Sequence, residues 1–235
     1  MTNPLDGNGV ARRYRALDLF CCAGGASMGL HRAGFEVVGV DIRPQPRYPF
    51  EFHQADALTF PLEGFDFIWA SPPCQAHSQM SVRYVGKGGT RDEHLDLIPA
   101  TRERLRASGT LHVIENVNGA RHKLEKPFRL TGEMFGLGVH RPRWFEPSFY
   151  VLAPRAPPKQ PNPVAVYGAR MDGRRLWTRA DGSELRAPRS IEAPRAAMGI
   201  EWMDWDELKE AIPPAYAEFI GRAAIAHIEA QRIAA

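Results

Sequence analysis

The stretch from Arg15 to Asp41 does most to limit what this chain can become. Arg15 to Phe20 reads as a first strand, and Cys21-Cys22-Ala23-Gly24-Gly25 as a tight turn. Ala26 to Ala33 has helical spacing through Met28, Leu30 and Ala33, and Gly34 stops it. Phe35 to Val40 is a second apolar strand, closed by Asp41. Strand, glycine turn, helix and strand in this order form a unit of a mostly parallel sheet. The glycines let backbone approach a ligand, and a carboxylate after the second strand suits ribose hydroxyls. The pattern points to a nucleoside-containing cofactor.

Phe65 to Ala70 is a further buried strand. It runs into Ser71-Pro72-Pro73-Cys74-Gln75, where two prolines fix the chain and put Cys74 at a rigid strand end. Ligands of open α/β sheets bind at that end of the strands. A thiol is a strong nucleophile near neutral pH once its thiolate is favoured, although a lone cysteine is more often a buried structural residue. Thr110 to Ile114 is another such strand, followed by Glu115-Asn116-Val117. Glu115 can face Cys74 across the same rim; alone it reads as a turn or cap residue. His140-Arg141-Pro142-Arg143-Trp144-Phe145 places two arginines two positions apart. In a strand they share a face, so both guanidiniums are expected to point one way; the plainer reading is a solvated basic edge.

Other segments carry weaker signals. Phe52 to Leu58 is a short third segment with Asp56 near its end, either an acceptor for an adenine amine or a solvated turn residue. Ala76 to Glu93 is a long polar loop with Gly86-Lys87-Gly88-Gly89 near its tip, a length that is usually functional. His94 to Ala107 predicts a helix that Pro99 delays or kinks. Leu130 to Leu137 predicts a short helix, and Ala215 to Ile233 a closing amphipathic one.

A chain of 235 residues, 44% hydrophobic, suits one catalytic-size domain with a small appendage. The expected division is a loose tail over 1–14, a catalytic domain over 15–145 and 191–235, and an insertion over 146–190. The insertion is rich in proline, then in arginine and glycine, with little core of its own; its basic residues and interspersed aromatics suit nucleic acid, and an ordinary exposed hairpin around Asp181-Gly182 is equally consistent. No apolar run has membrane-spanning length, so no membrane partner is expected. Three cysteines, two of them adjacent, make neither a disulfide framework nor a zinc or other metal site. An intracellular, cytoplasmic setting follows, in a bacterial or phage context. The net charge of +3 comes mainly from arginine and leans only weakly towards nucleic acid.

These pieces, in this order, resemble the S-adenosylmethionine-dependent cytosine-C5 methyltransferases. Asp18-Leu19-Phe20-Cys21-Cys22-Ala23-Gly24-Gly25 is similar to the family's cofactor motif, and Ser71-Pro72-Pro73-Cys74-Gln75 to its nucleophile motif. Glu115-Asn116-Val117 and Arg141-Pro142-Arg143 match its second catalytic and paired-arginine motifs. Ala197-Met198-Gly199-Ile200 and Ala211-Ile212-Pro213-Pro214-Ala215 resemble its last two. The resemblance implies a Rossmann-like class I methyltransferase fold: a mostly parallel α/β sheet with helices on both faces and a small irregular recognition lobe.

It also implies residue roles. Cys74 would add to cytosine C6, Glu115 would hold N3 and the exocyclic amine, and Arg143 would contact O2, with Arg141 in support. Phe20 would pack on adenine, Asp41 would bind ribose and Asp56 the adenine amine. Cys22, Ala23, Gly25, Ile42, Ala57, Pro72, Ala211 and Ile212 would complete the S-adenosylmethionine pocket, which retains S-adenosylhomocysteine as product. Gln75, Ser78, Asn116, Arg170, Arg174 and Arg175 would meet nucleic acid. The partner implied is duplex DNA with the target cytosine flipped out, and the 76–93 loop is the implied lid; a monomer is one open expectation, since the sequence does not fix the oligomeric state.

The chain departs from the family pattern at several places. Cys22 stands where the family has glycine, and a side chain there would crowd the methionine end of the cofactor or shift the backbone. Lys209-Glu210 replace the usual Gly-Asn, which would bring the Glu210 carboxylate near the sulfonium to offset its charge. Val139 replaces a glutamine before the arginine pair. The recognition region of roughly 45 residues holds few base contacts, at about 1–3 kcal/mol of discrimination each, so a target of about two to four bases, or relaxed specificity, is expected. Two other readings stand beside this one: a tRNA cytosine-C5 methyltransferase of the same family, and a catalytically silent DNA-binding regulator.

Overall fold

A computed structural model describes residues 13–73, 96–158, 160–168, 171–178 and 184–234. The chain is built on a seven-stranded sheet of order β3-β2-β1-β4-β5-β7-β6. Its strands are β1 (Arg15–Leu19), β2 (Glu36–Asp41), β3 (Glu51–Gln54), β4 (Phe67–Ala70), β5 (Leu111–Asn116), β6 (Phe128–Leu130) and β7 (Arg143–Pro147). The first five pair in parallel, while β7 runs antiparallel to both β5 and β6. The four central strands read as nearly continuous apolar runs because both of their faces are covered.

Alternation along each strand divides the core. Ala16, Val37, Phe67, Trp69, Val113 and Phe145 face one side. There they pack on α1 (Gly25–Ala33) and the closing helix, here α5 (Pro214–Ala234). Leu17, Leu19, Val38, Val40, Ile68, Ala70 and Ile114 face the other, with Ile98 and Leu105 of α2 (Ile98–Ser108). Helices therefore cover both faces, as expected. Helices α1 and α5 approach to backbone contact: a Cβ on Gly29 would lie 2.1 Å from the Pro214 carbonyl oxygen.

The connection from β2 to β3 contains no helix. Residues 42–50 cross instead as a loop with a turn at 46–47, and the Tyr48 ring covers Gly39, where a Cβ would lie 2.3 Å from the ring. Tyr48 donates to Ser27 Oγ at 2.7 Å, which fixes the loop on α1.

Several sequence expectations change in detail. The third segment is strand only over Glu51–Gln54, and 130–137 holds a 3₁₀ turn at Gly132–Phe135. Pro99 delays the helix rather than kinking it, since α2 starts at Ile98 with the proline in its first turn. The loop assigned to 76–93 lies outside the described residues.

The insertion does form a hairpin, β8 (Arg175–Thr178) with β9 (Glu184–Arg186), antiparallel; its turn at 179–183 is outside the described residues. The expectation that this segment has little core of its own needs refinement. Val164 and Val166 join Val139, Met198, Met203, Trp205 and Leu208 in a third apolar cluster. That cluster is shared with α3 (Glu192–Met198) and α4 (Trp205–Glu210).

Candidate active site

A cleft opens at the carboxyl ends of β1 and β4, where the strand order reverses. This is the crevice in which open α/β sheets hold ligands. Its walls include Phe20, Cys22, Ala23 and Gly25 after β1, Ser71, Pro72 and Pro73 after β4, and Glu115 and Val117 at the end of β5. Arg143 closes one side; Met203, Glu207, Glu210, Ala211 and Ile212 close the other.

The turn after β1 is bent hard. Phe20, Cys22 and Gly24 all have positive φ, at 62°, 45° and 83°. A glycine adopts such values without strain, whereas a cysteine does so at a cost. At Cys22 the cost is offset by structure: its amide donates to Asp41 Oδ2 at 3.0 Å. The other Asp41 oxygen accepts from the Arg43 amide at 2.9 Å. Trp202 Nε1 donates to the Ala23 carbonyl at 2.8 Å and pins the turn from above. Gly25 admits no side chain, because a Cβ there would lie 2.5 Å from the Ile212 carbonyl oxygen.

Glu115 and Arg143 meet at the cleft floor. Arg143 Nε lies 3.0 Å from Glu115 Oε1, and both side chains are largely buried. Burial pushes the Glu115 carboxyl above its ordinary range, opposed by Arg143, Ser71 and Arg141. The Pro72 turn is held to the same strand end, since Asn116 Nδ2 donates to the Pro72 carbonyl at 3.0 Å. Cys74 follows Pro73 directly but, with Gln75, Ser78 and Arg170, lies outside the described residues. Of the other two thiols, Cys21 is buried and its pKa is pushed far up by desolvation, so it is a poor source of thiolate.

Two expectations are corrected. Arg141 does not share a strand face with Arg143, because β7 begins only at Arg143 and Arg141 sits at φ 39°. Its guanidinium instead donates to the carbonyls of Val166 at 2.9 Å, Lys209 at 2.5 Å and Ala211 at 2.7 Å. Asn116 is not presented to a nucleic acid. It is buried, with Nδ2 on Pro72 and Oδ1 accepting from the Val117 amide at 2.9 Å. An amide at a strand end that must both turn the chain and hold a proline carbonyl is already committed.

The remaining candidates scatter. Asp41, Ile42, Asp56 and Ala57 lie outside the cleft lining; Ile42 is 68% exposed and Asp56 accepts from the Leu58 amide at 2.8 Å. Arg174 and Arg175 are exposed on the hairpin, within 3.5 Å of Asp172 and 3.7 Å of Glu184 respectively. Residues the sequence did not single out are Asp18, Met203 and Glu207. Asp18 is hidden in its motif as one more strand residue, yet its side chain is buried and lines the cleft.

A mostly parallel sheet carrying an antiparallel seventh strand, with its crevice beyond β1 and β4, defines a Rossmann-like class I methyltransferase fold. Solved structures agree. An Escherichia coli prophage protein assigned as a DNA modification methyltransferase superposes with a TM-score of 0.57 at 15% identity, over 91% of this chain and 99% of that one. Entamoeba histolytica methyltransferase EhMeth gives 0.56 at 10% identity, over 92% and 99%. S. pombe Dnmt2 methyltransferase gives 0.55 at 12%, over 92% and 99%. The family model for C-5 cytosine-specific DNA methylase matches residues 14–131, half of the chain, and the protein belongs to that family. No curated protein sequence matches it. Among the described residues no helix is long and apolar enough to cross a membrane.

Asp18 gives the site a pH signature. Desolvation raises its carboxyl from 3.8 to about 7, partly opposed by the Ser27 hydroxyl, which donates at 2.5 Å. As pH rises, the unfolded chain ionises this group first. Its stabilising contribution is therefore full below about pH 4 and lost as pH approaches about 7. Asp18→Asn removes the titration. Each pH unit separating the folded and unfolded ionisations is worth about 1.4 kcal/mol, so relative to wild type the variant should gain on the order of 2–4 kcal/mol between pH 4 and 8. Urea unfolding at several pH values measures this, and a pH-independent difference between the two proteins would contradict it.

Proposed function

We propose that the protein is a DNA cytosine-C5 methyltransferase that uses S-adenosylmethionine and a transient bond between Cys74 and cytosine C6. The observation that carries this reading is the buried Glu115–Arg143 pair on the floor of the cleft, beside the Pro72-Pro73 turn that leads into Cys74.

The cleft suits a cationic, nucleoside-bearing donor. Asp18 Oδ1 is buried there without a hydrogen-bond partner among the described residues, and Glu207 and Glu210 add carboxylates to the opposite wall. Phe20, Cys22, Ala23, Gly25, Pro72, Ala211 and Ile212 would hold the donor, with Asp41 held just behind the turn by the Cys22 amide. When bound, it supplies an electrophilic methyl group.

The chain's own residues then do the rest. Cytosine C5 is a weak nucleophile until a thiolate adds to C6 and makes C5 enamine-like. Cys74 supplies that electron pair. Glu115, its pKa raised by burial, is suited to hold or deliver a proton at N3 as charge builds on the ring. Arg143 presents a fixed positive charge to O2. Loss of the C5 proton and expulsion of the thiolate restore the aromatic ring and free Cys74. A stacked base cannot enter this cleft, so the cytosine is flipped out of the duplex. The 146–190 insertion would form the recognition lobe, with Arg174 and Arg175 on its exposed hairpin.

Oligonucleotides carrying 5-fluorocytosine test the mechanism, because fluorine cannot leave as the C5 proton does. Wild type with S-adenosylmethionine should form a stable covalent complex. Cys74→Ala should form none, and Glu115→Gln should form it about 10²–10⁴-fold more slowly. Parallel DNA and RNA oligonucleotides identify the sugar. Trapping by Cys74→Ala, or none by wild type on DNA, would overturn the proposal. Glu210→Gln should bind S-adenosylmethionine several-fold more weakly by calorimetry. Unchanged affinity would remove Glu210 from the account of cofactor charge.

A further inference from the structure

Beside the cleft, on the face of β7 opposite Arg143, lies a cationic cluster that the reaction does not use. β7 runs antiparallel to β5, so its first residues sit at the same rim as Glu115. Arg143 turns to the Glu115 side, and the next residue, Trp144, turns to the other. A short 3₁₀ helix, Asn118–Lys123, leaves the end of β5 at this rim. It is tied to the indole, since Trp144 Nε1 donates to Asn118 Oδ1 at 2.9 Å.

Two guanidiniums lie over the Trp144 ring. Arg121 stands 4.8 Å from the ring centre and Arg129, directly across from Trp144 in β6, stands 5.9 Å away. Both arginines are exposed, and neither forms an ion pair among the described residues. Among the described residues, Asp96 pairs with Lys123 at 3.4 Å, Glu125 with Arg106 at 2.7 Å, and Glu146 with Arg102 at 2.7 Å. Stacking on an indole orients a guanidinium yet leaves its N–H donors free. Two like charges gathered on one ring, with no ion pair among the described residues, suit an anion.

We propose that the Arg121–Trp144–Arg129 cluster seats the phosphodiester backbone of the duplex DNA beside the flipped base. The seat lies outside the 146–190 insertion, and phosphate contacts of this kind position the polymer without specifying sequence. The inference rests on the proposed reading of the cleft.

The test is the salt dependence of duplex binding by the full chain. Arg121→Ala and Arg129→Ala should each lower the slope of log K against log salt by about one, and the double variant by about two. The loss should be the same on duplexes of unrelated sequence. Arg121→Lys, which keeps the charge, should keep the slope, whereas a purely structural stacking role would lower affinity in that variant as well. Arg222→Ala on α5, an exposed arginine paired with Glu218, should change nothing. Slopes unchanged in both alanine variants, or losses confined to one sequence, would overturn the proposal. So would losses seen on RNA and not on DNA. The same preparations report on fluorocytosine trapping: wild type that traps while the slopes stay fixed refutes this seat alone, and absence of trapping refutes the reading of the cleft.

Discussion

Glu115 carries a carboxylate into a place that is only 5% exposed. A charge there must be paired or it will take up a proton. The sheet supplies the partner through its one reversal of direction. Strand β7 comes back antiparallel beside β5, opposing Phe145 to Glu115 and so setting Arg143 close by. A parallel neighbour would present its opening residues at the far edge of the sheet. The pair is thus a product of topology, and it leaves a raised acid and a fixed cation side by side where a pyrimidine ring would need both.

A second guanidinium supports the first without entering the cleft. Arg141 gathers carbonyls from the insertion (Val166), the end of α4 (Lys209) and the adjoining cleft wall (Ala211). Its own carbonyl accepts from the Tyr216 hydroxyl at 2.8 Å. Hydrogen bonds with one charged partner contribute about 1.5–3 kcal/mol each, enough to hold three separate segments in register. Arg141 and Arg143 thus differ in place: one organises backbone, the other lines the cleft beside Glu115. Across the crevice, Arg47 of the 42–50 loop pairs with Glu207 at 2.7 Å and with Asp204, which fastens that loop to α4.

The strands were legible in the sequence because burial on both faces leaves unbroken apolar runs such as Phe67-Ile68-Trp69-Ala70. Gly34 as the stop of α1 was legible for a different, local reason: only glycine takes a φ such as its 116° without strain. What could not be read depends on contacts between distant segments. Nothing near Arg141 announces that its partners come 25 and 70 residues later. The spacing of two predicted a shared face only if the strand began early enough, and it begins at Arg143. Asn116 looked available until the Pro72 carbonyl, 44 residues away, claimed it. Cys22 signalled its strain more openly: a non-glycine in a glycine position proved to be held at φ 45° by Asp41.

The central claim is that this cleft replaces the hydrogen on C5 of a cytosine. The direct measurement uses DNA tritiated at cytosine C5 together with a ¹⁴C-methyl donor. The account predicts one tritium released to water for every methyl group incorporated, with both lost in Cys74→Ala. Methyl incorporation without tritium release would place the reaction at another atom and contradict it.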